Sequence, residues 1–319
     1  MRALKHILYF ADGEYGPTRA LRRAVALAEQ HQAKLTLIDV TIESDITAEL
    51  VQRFGLADDV QQCEQRLAAL THLAETWVRG QPPQLRVTIG TPFIEVISAV
   101  IRNGHDLLLK PVRLRPGRHG LFASTEMHLL RKCPCPVWID GEPPTPDAAE
   151  APPPRLRRIL AAVDAAQPHS DALNRNILET AATVAAQDGA ALDIMHAWQA
   201  PFDGRLPRTA PAAQTGAADA QRTDALHLIE QQHATALQAL AADYRDHMAD
   251  GDLHLVRGDP AEQILARAEA LSSDLIVLAT LSRPREPGLF IGATAEDLLQ
   301  GAQGSVLALK PEGFVSPVQ

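Results

Sequence analysis

The same pattern of residues occurs twice along the chain, and this internal repeat limits the folds that the sequence can adopt. Each copy opens with an apolar run that ends in aspartate, at residues 6–12 and at residues 158–164. Further blocks match in the same order: 24–40 with 179–197, 87–112 with 255–280, and 125–137 with 294–306. Four blocks would not match in one order by chance, so the sequence predicts two copies of one folding unit.

A proline-rich stretch separates the two copies. Residues 143–154 contain six prolines, which remove backbone hydrogen-bond donors and favour extended conformations. We therefore predict a first domain at residues 1–140, a linker at 141–157 and a second domain at 158–312. The length of 319 residues agrees with two domains, since about 150 residues per domain is usual.

Short runs of Ile, Val and Leu alternate with longer amphipathic stretches, which is typical of a parallel sheet covered by helices on both faces. Thr91-Pro92 and Asp259-Pro260 each place a capping residue before proline, which indicates a helix start. Each copy is predicted to contain five strands and four helices. Three-to-four spacing predicts an amphipathic helix over residues 226–244, after a mobile insertion at 199–222 that is rich in Ala, Pro, Gly and Thr.

Charge and cysteine content exclude several classes of partner. The net charge of -9 argues against a general affinity for nucleic acid or anionic membrane, and no stretch approaches the ~18 apolar residues of a membrane span. The first 140 residues carry 17 basic and 15 acidic side chains and the rest carry 13 and 24, so an anion-binding surface is expected in the first half. Cys63, Cys133 and Cys135 cannot form an even disulfide framework, which favours a cytoplasmic protein.

Four segments resemble the universal stress protein family, and specifically its tandem, E-type members. They are HLLRKCPCPVW at 128–138, GDPAEQI at 258–264, SDLIVL at 273–278 and GATAE at 292–296. The resemblance implies two tandem doubly wound α/β domains, each a five-stranded parallel sheet flanked by helices. It also implies pairing through the last strands, at 137–139 and 306–309. We therefore expect the halves to pair as an intramolecular pseudo-dimer, with a further homodimer left open.

The cleft at the carboxyl ends of the strands is the expected ligand site, as in other open α/β sheets. ATP-binding members of the family carry an Asp after the first strand, a small apolar residue after the second, and a Gly-x2-Gly-x9-Gly-Ser/Thr loop after the fourth. Asp164 and Ala197 match the first two positions in the second copy, and Asp12 and Val40 match them in the first. ATP is therefore the candidate cofactor that the resemblance implies.

The loop after the fourth strand departs from this pattern in the second copy. Ser282 and Arg285 stand where the first two glycines belong, although Gly292 and Thr294 are kept. Glycines let backbone N–H groups approach phosphate oxygens, and arginine side chains can supply donors instead. The candidate ligand residues of the second copy are Asp164, Ala197, Ser282, Arg283, Arg285, Gly292, Ala293 and Thr294.

The first copy has a basic loop in place of the glycine loop. It is interpreted either as a solvated loop or as a site for a phosphorylated or other anionic ligand held by side chains. The basic residues of this region are Lys110, Arg113, Arg115, Arg118 and His119. The candidate ligand residues of the first copy are Asp12, Val40, Lys110, Arg113 and Arg118.

No common catalytic, dinucleotide or zinc motif is present, so no catalytic residue and no metal ligand is predicted. Cys133-Pro-Cys135 lacks the two-residue gap of zinc knuckles and has no second cysteine pair, which favours packing over a metal or redox cluster. His233 lies on an apolar helix stripe and is interpreted as a hydrogen-bonded core residue rather than a ligand.

The sequence thus predicts a non-enzymatic stress-response protein that binds a small anionic ligand or nucleotide in its cleft. One alternative is a structural or interaction protein with degenerate clefts, which the altered loops favour. A weak ATP hydrolase is the other, and the lack of an evident base, metal ligand or glycine-rich loop counts against it.

Overall fold

A computed structural model describes residues 4–42, 58–113, 124–142, 155–166, 170–200, 215–280, 301–302 and 304–318. Ten strands form one continuous sheet in the order β3-β2-β1-β4-β5-β10-β9-β6-β7-β8. The strands of the first half are β1 (His6–Phe10), β2 (Lys34–Thr41), β3 (Gln84–Ile89), β4 (Leu107–Arg113) and β5 (Val137–Glu142). Those of the second half are β6 (Arg158–Ala162), β7 (Ala191–Trp198), β8 (Leu253–Arg257), β9 (Leu275–Ala279) and β10 (Ser305–Leu309).

Helices cover both faces of this sheet. Those described in the first half are α1 (Arg19–His31), α2 (Asp59–Trp77), α3 (Pro92–Asn103) and α4 (Ser124–Lys132). Those described in the second half are α5 (Asp171–Asp188), α6 (Thr215–Ala241) and α7 (Pro260–Ala270), and a 3₁₀-helix (Ala242–His247) follows α6. The two predicted proline starts are confirmed, because α3 begins at Pro92 and α7 begins at Pro260.

Within each half every described strand pairing is parallel. The strand order reverses between β1 and β4 and again between β6 and β9. Such switch points are where open α/β sheets leave a crevice outside the carboxyl ends of their strands. Helices on both faces bury the sheet, which is why β1 is almost uniformly apolar, with Ile7 to Phe10 fully buried.

The last strands of the two halves pair with each other, as expected. β5 and β10 are antiparallel, with Leu307 opposite Trp138 and Val306 opposite Ile139. Side chains reinforce this junction, because the Arg19 guanidinium donates to both oxygens of Asp140 and Ser305 donates to the same carboxylate at 2.5 Å. The pairing of β5 with β10 therefore joins the two halves into one sheet, and the polar contact of Arg19, Asp140 and Ser305 reinforces it.

The internal repeat is visible in a backbone clamp that occurs once in each half. Asp106 accepts hydrogen bonds from the N–H groups of Lys5 and His6, at 2.6 and 2.8 Å. Asp274 does the same for Arg157 and Arg158, at 2.6 and 3.0 Å. The clamp fastens the start of β1 to β4 and the start of β6 to β9, which explains why aspartate precedes a buried strand in both copies.

One sequence expectation was wrong in part. Residues 215–222 were placed in a mobile insertion, yet α6 already begins at Thr215. The alanines in this stretch have high helix propensity, which outweighed its Gly and Thr content. The helix also ends at Ala241, so Tyr244 belongs to the 3₁₀-helix. Residues 201–214 lie outside the described part of the chain, as do linker residues 143–154.

Candidate functional site

In the first half, a buried lysine occupies the carboxyl end of β4. Lys110 Nζ lies 2.8 Å from Asp12 Oδ2 and 2.5 Å from Glu126 Oε1, and the Lys110 side chain is only 3% exposed. Burial alone would lower the pKa of Lys110, but Glu126 and Asp12 outweigh it and raise the pKa above its ordinary value. Lys110 therefore stays charged, and Asp12 is held in an ion pair.

Lys110 was expected in a basic loop, and this placement was wrong. The strand continues through Pro111 to Arg113, which directs the lysine side chain into the protein, where it also lies 5.5 Å from the centre of the Phe10 ring. Only the backbone of Arg113 is described, while Arg115, Arg118 and His119 lie outside the described residues.

The second half carries no counterpart of this lysine. The repeat places Leu278 at the position of Lys110 and Ala295 at the position of Glu126. Asp164, at the position of Asp12, is partly exposed, and its carboxylate forms no ion pair with any residue that the structure describes. The matched aspartates therefore differ: Asp12, although exposed, is paired with the buried Lys110, whereas Asp164 has no ion pair within the described part of the chain.

Asn174 fixes the backbone at Asp164. Its side-chain oxygen accepts from the Asp164 N–H at 3.0 Å, and its Nδ2 donates to the Asp164 carbonyl at 2.7 Å. Asn174 is almost fully buried in α5, so the chain that follows β6 is held in one position, while the carboxylate has no ion pair among the described residues. Such a fixed backbone with an unpaired carboxylate is suited to orienting a ligand that carries N–H or O–H donors.

Beside Asp164, two histidines are hydrogen-bonded to each other. His196 Nδ1 lies 3.1 Å from the Val163 carbonyl oxygen, and His196 Nε2 lies 2.7 Å from His233 Nδ1. Burial lowers the pKa of both imidazoles, and for His233 the neighbouring His196 lowers it further, whereas Asp164 opposes the shift. Both rings are therefore neutral near neutral pH. The hydrogen bond predicted for His233 is present, but its partner is a second imidazole at the edge of the cleft.

Sequence reasoning missed His196. It precedes Ala197, the candidate residue at the end of β7, and the repeat matches it to Asp39. Successive residues of a strand face opposite sides of the sheet, so His196 and Ala197 point to different layers. Trp198 then returns to the side of His196 and stacks on His233, with ring centroids 5.0 Å apart and an interplanar angle of 20°. The alignment with Asp39 was the signal that could have found it.

The matched position in the first half carries a charged network. Arg66 Nη1 lies 2.9 Å from Asp39 Oδ2, and the Tyr15 hydroxyl donates to the same carboxylate oxygen. Burial, followed by the hydrogen bond to Asp39, raises the pKa of Tyr15. Val40, the first-half counterpart of Ala197, is buried, and its N–H donates to the other Asp39 oxygen at 2.8 Å.

The remaining second-half candidates follow β9. β9 lies beside β6, and the chain leaves it at Thr280, whose N–H donates to the Leu309 carbonyl. The candidates Ser282, Arg283, Arg285, Gly292, Ala293 and Thr294 all lie outside the described residues.

The Cys133-Pro-Cys135 segment is part of the core. Both cysteines are buried, with their Sγ atoms 3.5 Å apart. The hydrogen bond with Cys133 and then burial raise the pKa of the Cys135 thiol, which keeps it protonated and unreactive. Within the described ranges no group of three or more His, Cys, Asp or Glu side chains could hold a metal ion. These contacts favour packing.

The fold, the doubled switch point and the fixed aspartate after the first strand of each half define a tandem doubly wound α/β protein. The universal stress protein family matches residues 3–140 and 155–310. The chain belongs to this family, as a tandem member of the E type. None of the described helices is both long and apolar enough to cross a membrane.

Curated relatives agree with this assignment, and solved structures share the fold. Universal stress protein E of Escherichia coli K12 is 28% identical over 332 residues, covering 100% of this chain and 98% of that protein. The Photorhabdus laumondii protein of the same name is 26% identical over 333 residues, covering 100% and 99%. A putative universal stress protein from Pseudomonas aeruginosa superposes with a TM-score of 0.67 at 22% identity, covering 97% of this chain and 94% of that one. One from Archaeoglobus fulgidus gives 0.58 at 16% identity, with 96% of each covered.

Proposed function

We propose that this protein is a non-enzymatic, cytoplasmic stress-response protein that binds a small anionic ligand or nucleotide in the cleft of its second half. The observation that carries the proposal is the difference between two matched aspartates. Asp12 is paired with a buried lysine, whereas Asp164 has a fixed backbone and a carboxylate with no ion pair among the described residues.

The residues of the second half supply both ends of such a site. The Asp164 carboxylate can accept hydrogen bonds from N–H or O–H groups of the ligand, and the family resemblance implies an aspartate at this position in ATP-binding members. The loop after β9 contains Arg283, Arg285 and the retained Gly292-Ala-Thr294, which suit the anionic end of the ligand. In the first half, Asp12 and Lys110 have a structural role as an ion pair. Arg113 and Arg118 remain the candidate residues of this half for binding an anion.

The test is native mass spectrometry of protein purified gently from its own host, followed by thermal shift with ATP, ADP and AMP. A ligand at about 100 times its Kd stabilises the folded protein by about 2.7 kcal/mol, which a melting experiment resolves. We expect Asp164→Asn to abolish the nucleotide-induced shift. Asp12→Asn, the matched control, is expected to keep that shift, measured from its own lower melting temperature.

Three outcomes would contradict the proposal. If no nucleotide or other anion changes the melting temperature, the clefts are degenerate and the structural alternative gains. If Asp12→Asn rather than Asp164→Asn removes the shift, the first half is the binding half. ATP turnover faster than in buffer, and lost in Asp164→Asn, would replace the non-enzymatic assignment by the hydrolase.

A further inference from the structure

The hydrogen bonds of the histidine pair determine where its protons lie. A carbonyl oxygen only accepts, so His196 Nδ1 carries the hydrogen that it donates to Val163. In a neutral imidazole the other nitrogen is then an acceptor, so His196 Nε2 accepts from the Nδ1 hydrogen of His233. By the same rule His233 Nε2 carries no hydrogen. The pair therefore ends in one lone pair, on His233 Nε2.

The pair lies at the edge of the proposed cleft. His196 bonds to Val163, the residue immediately before Asp164, and directly precedes Ala197. His196 is almost fully buried, whereas His233 on α6 is only half-buried. The inner ring is thus fixed by the sheet, and the outer ring is the more exposed of the two.

The groups around His233 come from three strands. β6 is followed by Asp164, whose charge acts on both imidazoles. β7 supplies His196 and Trp198, and β8 supplies Arg257, whose guanidinium lies 5.8 Å from the centre of the Trp198 ring. Asp164 and the neutral His233 Nε2 both accept hydrogen bonds, and Trp198 holds the His233 ring in place. This edge of the cleft therefore suits the part of a ligand that carries N–H or O–H groups.

We propose that His233 is a ligand-binding residue of the second cleft, held in place by His196, and that its Nε2 accepts a hydrogen bond from an amino or hydroxyl group of the ligand. The inference rests on the proposed function and extends it to a ligand that carries such donors as well as an anionic group. It also makes binding sensitive to acid, because a proton on Nε2 replaces the acceptor with a donor. Affinity is then full when His233 is neutral and falls as acidification protonates it.

The experiment measures the Kd of ATP by calorimetry at about pH 8 and about pH 4.5, the lower value being chosen because the pKa of His233 is lowered from its ordinary value by burial and by His196. Four proteins are compared: the natural chain, His233→Asn, His233→Gln and His227→Gln. Asparagine can keep the bond to His196 through its amide nitrogen but has no acceptor at the position of Nε2. Glutamine can place a carbonyl oxygen there that does not titrate.

His227, exposed on the same helix, is the matched control. ATP itself titrates in this range, so each variant is compared with the natural chain at the same pH.

At the higher pH we expect His233→Asn to bind ATP about fivefold more weakly than the natural chain, the effect of one lost hydrogen bond. At the lower pH this ratio falls towards one, because the natural chain has lost its acceptor too. His233→Gln is expected to retain affinity at both values, and His227→Gln to follow the natural chain. The inference is overturned, with ATP binding intact, if the Kd of His233→Asn equals that of the natural chain at the higher pH. It is also overturned if the ratio of the two Kd values is the same at both pH values. No binding of ATP by the natural chain overturns the inference together with nucleotide binding itself.

A measurement on the unmutated protein guards against a variant that fails to fold. Imidazole nitrogen shifts of ¹⁵N-labelled protein report which ring nitrogen carries the hydrogen. We expect hydrogen on Nδ1 of both His196 and His233 near pH 8 and a shift of the His233 Nε2 signal when ATP is added. Hydrogen on His233 Nε2, or an Nε2 signal that ATP does not move, overturns the assignment.

Discussion

At the end of its second strand, the first half places Asp39 against Arg66, whereas the second half places His196 against His233 at the matched position. Nearby, the first half has Lys110 where the second has Leu278. Carboxylates and guanidinium groups remain charged throughout the physiological range, but imidazoles do not. One fold therefore carries ion pairs at these positions in the first half and a hydrogen-bonded imidazole pair in the second.

The largest expected effect comes from breaking the ion-paired triad of the first half, in which the buried Lys110 contacts Glu126 and Asp12. Lys110→Met should lower the free energy of unfolding by about 3 kcal/mol, because the buried Glu126 carboxylate is left without its cation and the more exposed Asp12 loses its ion pair. The double variant Lys110→Met with Glu126→Leu should recover most of this loss, since it recreates the apolar pair of the second half. Urea unfolding at neutral pH measures both. A single variant as stable as the natural chain would show that the triad contributes nothing.

A second contrast between the halves is acid sensitivity. Burial, and then the charge of His6, lowers the pKa of His105 to about 4, whereas the second half has Ser273 at this position. Because the unfolded chain takes up this proton first, stability is full above about pH 6.5 and falls as pH decreases towards 4. We expect this group to contribute a loss of about 2 kcal/mol across that window.

His105→Ser tests this contribution, since it copies the residue of the second half. The natural chain and the variant are compared by urea unfolding across the same pH range. The difference in stability between them should change with pH only between the two values named for His105. Parallel pH profiles would contradict the assignment and place the acid sensitivity in other groups.

A transplant would test whether the charged network and the histidine pair are interchangeable. Asp39→His combined with Arg66→His copies the second-half pair into the first half. We expect a loss of about 1 to 2 kcal/mol at neutral pH, because Tyr15 and the Val40 N–H both lose their acceptor on Asp39. Urea unfolding measures the loss, and Cys63→Ser on the same helix serves as a mild control. A transplant without cost would mean that the Asp39 network is not needed for folding.

The fold was predictable because its signals are local and repeated. Each of these signals is contained in a few neighbouring residues: an apolar run, a proline at a helix start or a last-strand segment. The side-chain contacts in the clefts were not predictable, because the residues that form each contact are distant in sequence. The sequence predicts a loop at Lys110 because this residue begins a run of basic side chains that continues to His119. The ion-pair partners of Lys110 are Asp12 and Glu126. The hydrogen-bond partner of His196 is His233, which lies 37 residues away on α6.

The smallest expected effect separates two matched helix starts. The Asp259 carboxylate accepts from the N–H groups of Ala261 and Glu262 at 3.0 and 3.2 Å, whereas Thr91 makes no capping bond with its side chain. Asp259→Ala should therefore cost about 1 kcal/mol and Thr91→Ala only a few tenths. Parallel urea titrations of the two variants measure the difference. Equal costs would mean that proline at the first helical position, common to both helices, fixes these starts without help from the cap.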